Sequence, residues 1–307
     1  MKNNLLVCID GGASTYRAAL IEINSKKILR ECKEDISLKF SLTKENLKNL
    51  IKVIEKVNSK KAEVIVLGLA GLDTDIEKQK ANKIYKFLIK RYFPNFKEVY
   101  ILNDLELMMS VSNAKNKIAV VAGTGSNCIG VKNGVFTKAG GFGHLLSDQG
   151  SGYYIGLLSL KKALKASDGR EQKTILVSKL CKYFGVKNIE NTKDILLSSY
   201  TKKEISQLTK VVAKCADLND LVSKKILQNS VAELFKHIKA VHTKLNLNTE
   251  MFDLVLVGGI FTIPLVQKGI LGKVAIYNIG KIYHIKDKTY LAGIDYYNTV
   301  KNLANLN

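Results

Sequence analysis

Arginine is scarce in this 307-residue chain: Arg17, Arg30, Arg91 and Arg170 are the only four among 48 basic residues. A net charge of +21 would otherwise suggest binding to nucleic acid, since clustered cations supply phosphate affinity. Bidentate phosphate and base contacts are made preferentially by arginine, and the lysines here are spread along the whole chain instead of forming a patch. No nucleic-acid partner is expected. Long apolar runs are also missing. No segment approaches the ~18 uninterrupted apolar residues of a membrane helix, so no membrane partner is expected. The run Leu5–Ile9 is too short for a secretory leader and ends in Asp10, which makes the cytoplasm the expected location. Cys8, Cys32, Cys128, Cys181 and Cys215 are odd in number, far apart and form no CxxC pair. That excludes a disulfide framework or zinc ribbon and leaves small buried thiols. His237 and His242 lie five apart, off the i, i+4 metal spacing, and His284 stands alone, so no histidine metal site is implied. A Pro- or Ser-rich linker is absent too.

The chain carries one grammar, used twice. Leu5–Asp10 and Tyr16–Glu22 are apolar, β-prone runs joined by a glycine-rich bend, with a third strand near Lys27–Cys32. Leu47, Leu50, Ile51 and Ile54 then recur at helical spacing. A buried strand (Val64–Leu69), a helix (Asp75–Tyr92) stopped before Pro94, a strand (Glu98–Leu102) and a helix from about Asp104 follow. After Asn113–Asn116 the pattern restarts with strands at Ile118–Ala122, Ser126–Val131 and Gly134–Ala139. Helices dominate from Gly150 to about Leu245. Strand Phe252–Val257, a helix, a strand at Val274–Tyr277 and a C-terminal helix complete the chain. No high-identity repeat is visible, so any duplication is structural. The expected fold class is α/β with two domains, 1–113 and 114–288. A helical insert falls at about 165–245, and the C-terminal helix 289–307 packs back on the first domain.

Five motifs carry candidate chemistry. Asp10-Gly11-Gly12-Ala13-Ser14-Thr15 sets an acid at a strand end before two glycines and two hydroxyls. Such a turn offers N–H and OH donors to a phosphate, while the acid can hold Mg²⁺ through water; a plain hairpin turn explains it equally. Gly123-Thr124-Gly125-Ser126 repeats the device in the second half. The lysine of a GxxxxGK[ST] loop is missing, and a strand follows where a dinucleotide fingerprint would start a helix. Leu102-Asn103-Asp104 places an acid at a strand-to-helix junction, either as a functional carboxylate or as part of a helix cap in which Asn103 or Asp104 is the N-cap residue. Gly140–Gly152 packs five glycines with Phe142, His144 and Asp148. Phe142 offers a ring for a sugar face and Asp148 an acceptor for hydroxyls; His144 is either a general base or a structural imidazole. Val257-Gly258-Gly259 ends a buried strand in paired glycines that let a flat ring approach the backbone.

In this order the five motifs resemble the actin-like ATPase superfamily. Gly68-Leu69-Ala70-Gly71-Leu72-Asp73 and the Gly141–Ser151 loop resemble its N-acetylglucosamine kinase and BadF/BadG/BcrA/BcrD ATPase branch. That resemblance implies two ribonuclease-H-like domains, each a mixed sheet flanked by helices, with the active site in the cleft between them. It implies ATP and Mg²⁺ as cofactors and phosphoryl transfer to a hydroxyl of an amino sugar, N-acetylglucosamine or glucosamine, or a related hexose. Position by position, Asp10 would act near Mg²⁺, and Gly11, Gly12, Ser14 and Thr15 would line the phosphates. Gly123, Thr124, Gly125 and Ser126 would hold the far phosphates, with Gly258 and Gly259 under adenosine. Asp104 would be the general base, and Gly71, Gly141, Phe142 and Asp148 would join it around the sugar. The chain departs from the kinases at Gly12–Thr15, where a lysine is lost, at Asp35–Phe40, where a Gly/Asn sugar loop is usual, and at Gln149, where glutamate is usual. The alternative function is an ATPase activator of a 2-hydroxyacyl-CoA dehydratase or benzoyl-CoA reductase system, which needs cysteines bridging a dimer face to a [4Fe–4S] cluster. A homodimer is left open.

Overall fold

The structure is a computed structural model and describes residues 4–12, 15–58, 60–72 and 74–304. The chain forms two compact units: Met1–Asn113 with Lys288–Asn307, and Ala114–Asp287.

In the first unit the chain runs β1 (Leu5–Gly11), β2 (Tyr16–Glu22), β3 (Ile28–Glu34), α1 (Lys44–Val57), β4 (Val64–Leu69), α2 (Asp75–Tyr92), β5 (Glu98–Asn103) and α3 (Asp104–Met109). The second unit follows with β6 (Asn116–Ala122), β7 (Ser126–Lys132), β8 (Val135–Gly140) and α4 (Gly152–Ser167). Next come α5 (Leu176–Phe184), α6 (Thr192–Ser199), α7 (Lys202–Gln207), α8 (Thr209–Asp217) and α9 (Leu221–Lys244), then β9 (Phe252–Val257), α10 (Pro264–Val274) and β10 (Ile279–Ile285). The last helix, α11 (Ala292–Ala304), belongs to the first unit. Among the described residues no helix is long and apolar enough to cross a membrane.

Each unit is built on a five-stranded mixed sheet, in the order β3-β2-β1-β4-β5 and, running the same way, β8-β7-β6-β9-β10. In both, the first three strands are an antiparallel meander and the last two lie parallel to the first strand's side of the sheet. The two halves therefore share one topology without sharing sequence. β4 and β9, flanked by strands on both sides, are buried along their whole length. Such strands read as unbroken apolar runs because helices cover both faces. The edge strands β3 and β10 are mostly exposed. Helix ends are set locally: Thr74 and Glu77 form a capping box at the start of α2, which ends at Tyr92 just before Pro94.

One expected strand falls elsewhere. Val274–Tyr277 is the end of α10 and the turn after it, and the strand is Ile279–Ile285. Val266, Ile270 and Val274 are the buried residues of α10, a four-residue recurrence that claims Val274 for a helix. In β10, polar and apolar residues mix as an edge position allows.

A missing side chain positions α3. A Cβ on Gly68 of β4 would lie 2.6 Å from Leu107 Cδ2 and 2.8 Å from Leu107 Cβ, so α3 sits directly on the strand. Gly68→Ala should therefore cost about 1–3 kcal/mol through overpacking. In urea unfolding, adding Leu107→Ala to Gly68→Ala should cost less than the sum of the single changes; strict additivity would show that the contact does not set the helix position.

Candidate active site

The parallel register of the first sheet lines up three strand ends. Asp10 pairs with Gly68 and Gly68 with Leu102; Gly11 pairs with Leu69 and Leu69 with Asn103. The Asp10 carboxylate, the turn after β4 and the start of α3 thus share the carboxyl end of the sheet, where open α/β sheets bind ligands.

Asp10 is 6% exposed. Its Oδ2 accepts a hydrogen bond from the Thr289 hydroxyl and lies 3.6 Å from Arg17 Nη1. Burial pushes the Asp10 carboxyl above its ordinary range, a rise that Thr289 and Arg17 oppose. The bend beyond it is closed by the Gly12 N–H, which donates to the Thr15 carbonyl at 3.0 Å. Ser14, with Ala13 and Asp73, lies outside the described residues. The segment Asp35–Phe40 is stitched to this bend. Thr15 Oγ1 donates to Asp35 Oδ1 at 3.3 Å, Leu38 N–H to the Gly12 carbonyl at 3.1 Å, and Phe40 N–H to the Ala70 carbonyl at 2.7 Å. Ala70 N–H in turn donates to the Gly11 carbonyl at 2.8 Å, which places Gly71 beside Phe40. Tyr85 fixes the far side of the segment through the Ser41 carbonyl and the Phe40 ring.

Capping at the head of α3 falls to Asn103. Its side chain accepts from Leu105 N–H at 2.8 Å, while the Glu106 carboxylate returns to the Asn103 N–H at 3.2 Å. Asp104 is the first helical residue, half-buried, with Oδ1 accepting from Leu105 N–H at 3.0 Å. The helix does not need the Asp104 carboxylate as its cap.

In the second unit the Gly123–Ser126 bend is held by the head of α4. Gly152 N–H donates to the Gly123 carbonyl at 2.8 Å and Tyr153 N–H to the Thr124 carbonyl at 3.2 Å, so first-turn donors that a helix leaves unpaired fix the bend. Asp148 is 3% exposed and sits in the left-handed region at φ 69°. Its Oδ1 accepts from Ser126 N–H at 3.0 Å, and Lys202 Nζ lies 2.6 Å from Oδ2. Gly258, at φ 110°, packs on the same bend; a Cβ there would fall 2.4 Å from the Ala122 carbonyl oxygen. Beyond it, Gly259 opens a short helical turn with free space where a Cβ would be. Gly141 lies against the Asn127 side chain. Phe142 is 66% exposed with Lys138 Nζ 5.9 Å from its ring centre. His144 is exposed, edge-on to Tyr153. His237 lies beside Gly140 with Nδ1 enclosed and unpartnered; burial lowers its imidazole below the ordinary range, against the pull of Glu233 and Asp148.

The structure thus groups Asp10, Gly11, Gly12, Thr15, Gly71 and Asp104 at one sheet end, and Gly123, Thr124, Gly125, Ser126, Asp148, Gly258 and Gly259 around one bend. Sequence reasoning passed over Arg17, Thr289 and Lys202. Arg17 had a local signal, because a hairpin closed at Gly11 and Tyr16 pairs Asp10 with Arg17. Thr289 and Lys202 had none, since both meet their carboxylates through the tertiary fold. Among the described residues no cluster of three or more His, Cys, Asp or Glu could hold a metal ion.

Asp148→Ala should destabilise the chain by about 2–4 kcal/mol, from the stranded Ser126 N–H and the left-handed backbone. Asp148→Asn keeps that acceptor, and asparagine tolerates the conformation, so it should recover most of the loss in chemical denaturation. Equal losses would mean that the Lys202 charge pair dominates.

Comparison with known proteins agrees with this architecture. Residues 7–284 match the model of the BadF/BadG/BcrA/BcrD ATPase family. An N-acetylmuramic acid/N-acetylglucosamine kinase of Clostridium acetobutylicum is 33% identical over 265 residues, covering 83% of this chain and 85% of that one. An N-acetyl-D-glucosamine kinase of Dictyostelium discoideum is 29% identical over 293 residues, 88% of each. The fold is shared with the crystal structure of a candidate N-acetylglucosamine kinase from Porphyromonas gingivalis, at a TM-score of 0.73 and 14% identity, covering 96% of this chain and 99% of that one. With its sequence matched along most of its length and its two like sheets, the chain belongs to the BadF/BadG/BcrA/BcrD ATPase family.

Proposed function

We propose that this chain is a cytoplasmic kinase that transfers the γ-phosphoryl group of ATP to a hydroxyl of an amino sugar, N-acetylglucosamine or glucosamine foremost. The observation that carries the reading is Asp104: a half-buried carboxylate, not needed as the cap of its own helix, at the same sheet end as Asp10. A sugar hydroxyl is a poor nucleophile at neutral pH, and phosphoryl transfer needs positioning, charge neutralisation and one acid to take the proton. Asp104 takes that role. Gly11, Gly12, Ser14 and Thr15 are assigned to phosphate, as are Gly123, Thr124, Gly125 and Ser126, with Gly258 and Gly259 assigned to adenosine. Gly71, Gly141, Phe142 and Asp148 orient the sugar. The names of the relatives in Clostridium and Dictyostelium support the choice of acceptor.

Magnesium suits the donor set around Asp10. Thr289 and Arg17 both engage Oδ2, and Oδ1 is the atom we assign to an ion's water. A lone carboxylate fits Mg²⁺, which keeps much of its shell as water and substrate phosphate. When bound, the ion neutralises charge on the transferring phosphates.

The activator reading fares worse, because a cluster shared across a dimer face needs accessible thiols. Cys8, Cys128, Cys181 and Cys215 are buried and Cys32 is only partly open, on β3.

A coupled ADP-release assay over glucosamine, N-acetylglucosamine, N-acetylmannosamine, N-acetylmuramate and glucose tests the activity. N-acetylglucosamine or glucosamine should give the highest kcat/KM; ADP release that ignores the sugar would refute a kinase. Thr124→Val should weaken ATP binding by about 1.5–3 kcal/mol, one hydrogen bond to a charged group. Unchanged affinity by calorimetry would mean that the bend does not touch phosphate.

A further inference from the structure

A cation sits over the second glycine bend that none of the roles above uses. Lys202 opens α7, and its Nζ lies 2.6 Å from Asp148 Oδ2 and 2.9 Å from where a Cβ on Gly125 would stand. The ammonium therefore lies directly against the backbone of the bend. The two partners differ in access: the Lys202 side chain is 32% exposed and that of Asp148 only 5%. Asp148 also holds the Ser126 N–H, so it keeps a strong partner if the lysine turns away.

The base of Lys202 is fixed to the helix that holds the bend. The first turn of α4 binds the Gly123 and Thr124 carbonyls through Gly152 and Tyr153. One turn later Gly156 meets the Ile205 carbonyl of α7 so closely that a Cβ would fall 2.0 Å from its oxygen. Thr201 and Glu204 cap α7 independently. The lysine stem thus starts from a fixed point beside the bend, while its flexible end can swing. The first bend, Gly11–Thr15, carries no lysine of its own.

We propose that Lys202 is a phosphate ligand: it rests on Asp148 when the site is empty and moves to the polyphosphate of a bound nucleoside triphosphate. This rests on the ATP-dependent reading above. Charge on a transferring phosphoryl group is stabilised by preorganised cations, and an ammonium held on a buried carboxylate is already aimed when the anion arrives. Departure of Lys202 frees Asp148 Oδ2 as an acceptor, which couples arrival of the triphosphate to hydroxyl binding at Asp148.

Calorimetry on the full chain with ATP and with adenosine tests this in wild type, Lys202→Met and Lys202→Arg. Lys202→Met should weaken ATP binding about 10–100-fold, the loss of a hydrogen bond to a charged group, and leave adenosine unchanged. Lys202→Arg should restore most of the ATP affinity, because it returns the charge. Unchanged ATP affinity in Lys202→Met, or equal weakening of ATP and adenosine, would overturn the proposal and leave Lys202 a structural partner of Asp148. A wild-type chain that binds no ATP would overturn the nucleotide reading, and this proposal with it.

Discussion

The site in the first unit depends on the parallel register between β1, β4 and β5. A shift of one residue would turn every side chain to the other face. At β4 the shift is opposed by Gly68, because any side chain brought to that position would collide with Leu107 of α3. Once the register is fixed, Asp10, Gly71 and Asp104 must end at the same edge of the sheet. Gly68 then lets α3 lie on the sheet, and Asn103 takes the cap. Asp104 follows as the first residue of the helix.

The second unit solves a similar problem with different residues. Its bend is held by the first turn of α4 and by Asp148 of the glycine-rich loop, whereas Gly12 is held by Leu38 of the 35–40 segment. Both solutions spend backbone donors on the bend and leave hydroxyl-bearing residues beside it. The two units thus share a strand order while anchoring their bends with different residues.

Much of this was legible in the sequence. Central strands announce themselves as apolar runs, because a strand covered on both faces has no polar positions to show. Bends announce themselves through glycines, and the end of α2 through Pro94. The edge strand β10 was misplaced because the apolar run Val274–Tyr277 outweighed the weaker, mixed pattern after it. The acid at 104 could be seen, but whether it or Asn103 capped the helix could not, since both are good caps and the choice rests on φ/ψ at the junction. Thr289 and Lys202 were invisible for a different reason. Thr289 lies 279 residues from Asp10 in the chain, and the pairing exists only because the last helix returns to the first unit. Lys202 is one lysine among many in a helical stretch, and only packing of α7 on α4 distinguishes it.

The role of Asp104 is the point on which a kinase reading stands or falls, and one substitution addresses it. Asp104→Asn keeps the size and polarity of the side chain but cannot accept a proton. The account predicts kcat for amino-sugar phosphorylation lower by about 10²–10⁴-fold, the range for a lost general base, with calorimetric affinities for ATP and sugar close to wild type. A variant that retains more than about a tenth of wild-type kcat would contradict it and place the base elsewhere.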